Sequence, residues 1–236
     1  MPIEKISAIV TDVEGTATSI AFAKEKLFPY ARAHLSDFLA DHGEDPDIAS
    51  LLAEARALAG LTDIDLRATV RLLQGWIDAD KKATPLKALQ GLIWKDGFAR
   101  GELVSDVYAD AAAGLRRWHR AGIRLYVYSS GSVQAQRLIF AHTPYGDLTP
   151  LFSGFFDTRV GGKLDQASYH VIAAAIDTEP GELLFLSDHV GELDAARHAG
   201  WHTTALDRGE AVLPERITHP VAHNFDEVER GWHAAA

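Results

Sequence analysis

The sequence predicts a doubly wound parallel α/β sheet, interrupted after its first strand by an inserted helical bundle. Three observations carry that expectation. An apolar, β-branched run at residues 5–11 ends in an acid. Four amphipathic helical stripes follow between residues 29 and 93. From about residue 105, strand-like apolar runs alternate with helical ones. Such alternation places helices on the faces of a parallel sheet, and a bundle between the first two strands makes the sheet domain discontinuous. The expected division is a core of residues 1–18 and 103–236 and a helical insertion of residues 19–102.

Each element has its own signal. The run 5–11 reads as a buried central strand. Pro29 opens a helix carrying Ala31, Leu35, Phe38 and Leu39 on one face, and Gly43 closes it. Asp45-Pro46 starts a second, with Ile48, Leu51, Leu52 and Ala55 inward. Thr62 is the expected cap of a third, with Leu66, Val70, Leu73 and Ile77 inward. Thr84-Pro85 opens a fourth, carrying Leu86, Leu89 and Ile93. Four such helices in series suggest a small bundle. Then come a helix at 109–121, a strand at 124–129, a helix at 133–142 and a short strand near 155–157. A helix at 165–176, a strand at 183–186, a helix at 192–199 and a last strand at 202–205 complete the pattern. Residues 231–236 read as a frayed end.

Composition narrows the function. With 33 acidic and 23 basic residues in 236, the formal net charge is −10, which gives no global attraction to nucleic acid or anionic membrane. An anionic substrate must then be held by a local donor cluster or a metal. The chain has no cysteine, which excludes disulfides, thiolate metal sites and cysteine nucleophiles. Met1 to Lys5 lacks the features of a signal peptide, and no apolar run reaches the ~18 residues of a membrane span. The expectation is a cytoplasmic monomer.

Ligands of open parallel sheets bind beyond the carboxyl ends of the strands. Those ends carry Asp12 and Glu14, Ser129 and Ser130, Lys163, and Asp188 with Glu192. In Asp-Val-Glu-Gly-Thr-Ala-Thr (12–18), a carboxylate can attack phosphorus while a second protonates the leaving oxygen and activates water. The same acids could instead simply cap a turn. Ser-Ser-Gly-Ser (129–132) opens a helix, where hydroxyls and unpaired N–H groups attract phosphate while Ser132 caps. Val-Gly-Gly-Lys (160–163) delivers a cation that can clamp a phosphoryl transition state. Asp188 follows a fully apolar strand, and hard oxygen ligands there suit Mg²⁺.

In this order the motifs resemble those of the haloacid dehalogenase superfamily of phosphohydrolases, over nearly the whole chain, and the helical insertion resembles that superfamily's cap. Residues 12–20, 27–32, 91–97 (Gly-Leu-Ile-Trp-Lys-Asp-Gly), 125–133, 155–158 and 185–188 are similar, more closely, to the enolase-phosphatase (acireductone synthase) family of methionine salvage. Glu14 stands where most of the superfamily has Asp, as in that family.

The resemblance implies a bifunctional enzyme with one Mg²⁺ per chain. It would enolise 2,3-diketo-5-methylthiopentyl-1-phosphate and dephosphorylate the product to the acireductone. It further implies Asp12, Asp188 and the Glu14 carbonyl as Mg²⁺ ligands, and Ser129, Ser130 and Lys163 as phosphate holders. Glu14 and Lys95 become acid/base candidates for enolisation, and a covalent phosphate on Asp12 stays open. The methylthio tail would meet some of Phe22, Leu92, Ile93, Trp94 and Phe98. His189 and Asp165 depart from the family pattern, at positions without a chemical role. Two alternatives stand beside this: a phosphatase of the same superfamily for another small phosphate ester, and a phosphoacceptor receiver domain. A receiver is shorter and lacks the insertion.

Overall fold

The computed structural model describes residues 6–214 and 216–233, so Lys5 and the last three positions of the 231–236 end lie outside the described residues. The described chain contains a six-stranded parallel sheet in the order β3-β2-β1-β4-β5-β6. Its strands are β1 (Ala8–Thr11), β2 (Arg124–Tyr128), β3 (Phe152–Phe156), β4 (Leu183–Ser187), β5 (His202–Leu206) and β6 (Val221–Ala222). Helices α1 (Ile20–Phe22), α2 (Phe28–His42), α3 (Pro46–Ala59), α4 (Leu66–Asp78) and α5 (Thr84–Ala99) fall between β1 and β2. A π-helical turn (Ala23–Leu27) joins the first two of them. The remaining helices are α6 (Ala109–Arg120), α7 (Val133–Ala141), α8 (Gln166–Ala175), α9 (Val190–His198) and α10 (Phe225–His233).

The chain divides into two compact units: residues 1–22 with 104–236, and Ala23–Leu103. In the sheet unit, β1 lies between β2 and β4, and all four of its residues are buried. Strands covered on both faces need side chains that are apolar throughout, and β4 (LLFLS) meets that need. One face of the sheet packs under α8 and α9, where Val10, Tyr128, Tyr169, Ile172, Phe185, Leu193 and Trp201 share a cluster. Tyr169 meets Phe185 and Trp201 edge-on at 5.3 and 5.4 Å, the geometry that aromatic quadrupoles favour. Elsewhere α6 packs on α10, with Trp118 stacked on Phe225 at 5.1 Å.

In the helical unit, Leu35, Leu39, Leu73, Leu86 and Leu89 are all buried, each contributing about 1.5–3 kcal/mol of transfer free energy. Two expectations need correction there. The cap of α4 is Asp65, whose carboxylate accepts from Ala68 N at 2.7 Å, and not Thr62. The buried stripe of α4 is Thr69, Leu73, Trp76 and Ile77, while Leu66 is exposed and Val70 half-buried. The cap choice follows from reach: only a residue immediately before the first turn can accept from that turn's N–H groups.

The chain after β5 is a third correction, since β5 is not the last strand. Residues 207–220 return to add β6, which pairs with β5, and α10 follows. His219 pins this return: its Nδ1 lies 2.7 Å from Thr203 Oγ1 and its Nε2 3.1 Å from Asp194 Oδ1. Among the described residues, no helix is long and apolar enough to cross a membrane.

Candidate active site

The site begins with register. Thr11 of β1 stands opposite Val127 of β2 and Leu186 of β4. One to two residues further on, Asp12, Ser129 and Asp188 leave three neighbouring strands along one edge, each strand about 4.8 Å from the next. The carboxylates are therefore brought together by pairing that the apolar strand residues specify.

The 12–18 loop is wound tightly on itself. Val13 O accepts from Ala17 N and Thr18 N, both at 2.9 Å, and Gly15 N donates to Thr18 O at 2.8 Å. Asp12 Oδ1 accepts from Val13 N at 2.7 Å. Gly15 takes φ +70°, and a Cβ there would sit 2.3 Å from Asp188 Oδ2, so only glycine lets this loop close against Asp188. Thr16 Oγ1 accepts from Asp188 N at 3.1 Å, joining the two acid-bearing loops directly. The Glu14 side chain is exposed at this edge.

Lys163 arrives from the loop after β3. Three hydroxyls hold that loop by its carbonyls: Tyr128 on Gly161 at 3.0 Å, Ser168 on Gly162 at 2.7 Å and Tyr169 on Lys163 itself at 2.8 Å. Gly161, at φ +134°, sits so close to α8 that a Cβ would meet Ser168 Oγ at 2.2 Å. So delivered, the Lys163 ammonium is buried 2.8 Å from Asp12 Oδ2 and 2.5 Å from Glu192 Oε2. Burial works to lower its pKa, but the charges of Asp12 and Glu192 outweigh burial and leave it raised. Lys163 is therefore a fixed cation.

Two carboxylates contact that one ammonium, and a third, Asp188, feels the charges of both. Asp188 shows the strain of the imbalance: burial, then the charges of Asp12 and Glu192, push its pKa up to about 6. The donors are hard oxygens in net negative surroundings, which is what a divalent cation such as Mg²⁺ selects. Among the described residues no group of three or more His, Asp or Glu side chains converges in metal-binding geometry. Mg²⁺ is commonly bound through only one or two carboxylates, with water and phosphate oxygens completing its shell.

Ser129 is buried, and its Oγ accepts from Gly131 N at 3.2 Å. Ser132 caps α7 by accepting from Ala135 N at 3.2 Å, as the sequence suggests. Gln136 Nε2 donates to Gly131 O and Phe156 O, both at 2.8 Å, and so ties the serine turn to the end of β3. Ser130 is exposed at the same turn. Thus Asp12, Glu14, Ser129, Ser130, Lys163 and Asp188 all belong to one edge of the sheet unit. Lys95 belongs to the helical unit, exposed on α5 between buried Trp94 and half-buried Asp96.

Residues 6–200 match the family model for haloacid dehalogenase-like hydrolases. The enolase-phosphatase E1 of Thioalkalivibrio sulfidiphilus is 57% identical over 220 residues, covering 92% of this chain and 96% of that protein. This chain belongs to the enolase-phosphatase E1 family. Its relative in Parvibaculum lavamentivorans is 52% identical over 227 residues, 95% of each chain. Among solved structures, the UTR4 protein of Saccharomyces cerevisiae matches with a TM-score of 0.80 and 32% identity, over 94% of this chain and 99% of that one. The 2-haloacid dehalogenase of Pseudomonas syringae, at 16% identity and a TM-score of 0.61, shares the fold.

This enolase-phosphatase family member is a phosphatase, and its site holds two residues whose roles the sequence left unassigned. Glu192, which the sequence places on the ligand edge without a role, is drawn inward by Lys163 and by Ser187 Oγ, which donates to it at 2.8 Å. Thr16 had no signal beyond its place in the loop. Of the tail candidates, Phe22, Ile93, Trp94 and Phe98 are buried, and Trp94 Nε1 donates to Leu27 O at 2.7 Å. Leu92 is half-buried.

Proposed function

We propose that this enzyme converts 2,3-diketo-5-methylthiopentyl-1-phosphate to the acireductone 1,2-dihydroxy-3-keto-5-methylthiopentene and phosphate, as a step of methionine salvage. The observation that carries the reading is the Lys163 ammonium fixed between Asp12 and Glu192 beside the serine turn, in a chain more than half identical to named enolase-phosphatases.

Two steps are needed. A proton leaves the carbon that bears the phosphate ester and the neighbouring carbonyl oxygen gains one; then one water is consumed as the ester is hydrolysed. For the second step, the Ser129 and Ser130 hydroxyls and the third N–H of Lys163 hold phosphate oxygens. Asp12, Asp188 and the Glu14 carbonyl hold one Mg²⁺, which supplies positive charge to the phosphate when bound. For the first step, Glu14 and Lys95, both exposed, exchange the protons. In this reading the helical unit is the cap. It excludes water while the dicarbonyl is handled, and it recognises the methylthio tail. The enzyme works as a cytoplasmic monomer on a small phosphate ester, and its net charge of −10 argues against nucleic acid as a partner.

The reading separates the two chemistries between the units, and Lys95→Ala tests the separation. We expect kcat/KM on the diketone phosphate to fall on the order of 10²-fold, the contribution of one positioned acid or base. Hydrolysis of a small aryl phosphate should change only a few-fold, because that substrate makes little use of a cap cation. Equal losses on both substrates would place Lys95 in phosphate binding, and no loss on either would make it a surface lysine.

A further inference from the structure

The segment after β5 lies beyond the residues matched by the family model, yet it reaches back to the acid-bearing loop. Arg208 is the link. Its Nε and Nη2 both donate to Thr16 O, at 3.0 and 2.8 Å. Its Nη1 donates to Asp110 Oδ2 at 2.9 Å and to His223 O at 3.2 Å. The side chain is 7% exposed. Its guanidinium lies 4.3 Å from the centre of the Tyr108 ring and 5.4 Å from that of Phe225. Asp110 Oδ2 in turn accepts from Phe225 N at 2.8 Å, which fixes the start of α10 to the same ion pair.

Thr16 is the residue through which such a grip would be felt. Its carbonyl is held by the Arg208 fork, and its hydroxyl accepts from Asp188 N at 3.1 Å. Gly15, next to it, is packed against the Asp188 carboxylate. A displacement of Thr16 therefore changes the separation of the Asp12 and Asp188 loops. An arginine fork that places two N–H groups on one oxygen fixes direction as well as distance, which a lysine point charge does not.

We infer that Arg208 is a positioning residue: its guanidinium locks the 12–18 loop against the loop bearing Asp188 and so sets the spacing of the two metal-holding carboxylates. This rests on the reading of Asp12 and Asp188 as Mg²⁺ ligands. Groups that orient metal ligands without touching the metal commonly govern affinity or activity by about 10–100-fold.

The test compares wild type, Arg208→Ala and Arg208→Lys, each shown folded by circular dichroism at a temperature below its melting point. Mg²⁺ binding to the substrate-free protein is measured by calorimetry, and phosphate release is measured against Mg²⁺ concentration. Both variants should bind Mg²⁺ about ten-fold or more weakly and need correspondingly more Mg²⁺ for half-maximal rate. Added guanidinium ion should restore Arg208→Ala in part. Wild-type Mg²⁺ affinity and turnover in the folded variants would overturn the inference, as would full recovery in Arg208→Lys, because charge and packing would then suffice. If Arg208→Ala does not fold, Arg208→Lys decides alone. If the wild type itself takes up no Mg²⁺, the metal reading fails. The inference, which concerns the spacing of metal-holding carboxylates, then falls with it, whereas a wild type that binds Mg²⁺ beside variants that bind it equally well overturns the inference alone.

Discussion

Lys163→Met should lower phosphate release by a factor on the order of 10²–10³, the usual cost of removing one well-placed electrostatic donor from a transition state. The ammonium sits 2.8 Å from Asp12 and 2.5 Å from Glu192, so it also neutralises one buried and one partly buried carboxylate. Removing one partner of a buried pair leaves charge uncompensated and costs about 3–5 kcal/mol of stability. The two effects can be separated. Adding Glu192→Gln to Lys163→Met removes the nearer of the two orphaned charges, and should recover part of the melting temperature without recovering turnover. Activity assays below the melting point of each variant, alongside melting curves, give both numbers. Near wild-type turnover in folded Lys163→Met would remove Lys163 from the phosphate site.

Exhaustive chelation should abolish phosphate release, and Mg²⁺ should restore it. Asp12 and Glu192 share a single ammonium, and burial together with their charges pushes the pKa of Asp188 up to about 6. A divalent cation relieves that repulsion and binds the native fold alone. At a hundred times its dissociation constant it should add about 2.7 kcal/mol of stability. The chelated protein should therefore also melt at a lower temperature. Ca²⁺ should restore activity poorly, because it takes longer bonds and more ligands than this edge offers. Full activity after chelation contradicts the metal assignment.

The strand-end residues were legible because parallel pairing leaves little choice: once β1, β2 and β4 are read as buried neighbours, Asp12, Ser129 and Asp188 must share an edge. The family resemblance in residues 12–20 and 91–97 went further and reached the level of the reaction. What was not legible depends on packing between distant segments. The sequence places Glu192 on the ligand edge, but its pairing with Lys163, 29 positions earlier, depends on where that loop lies. Asp65 and Thr62 are both good capping residues, and only the true start of α4 separates them. Strand β6 has two residues, too few for a periodicity, so the return of the chain and Arg208's grip on Thr16 leave no mark in the hydrophobic pattern.

The most direct test of the whole account follows the diketone phosphate by ¹H and ³¹P NMR with the purified enzyme and Mg²⁺, measuring released phosphate in parallel. The account predicts that the diketone signals give way to those of the acireductone, with one equivalent of phosphate released per substrate consumed and neither change in chelator. Hydrolysis of small phosphate esters with no turnover of the diketone phosphate would contradict it, as would phosphate release in which no acireductone forms.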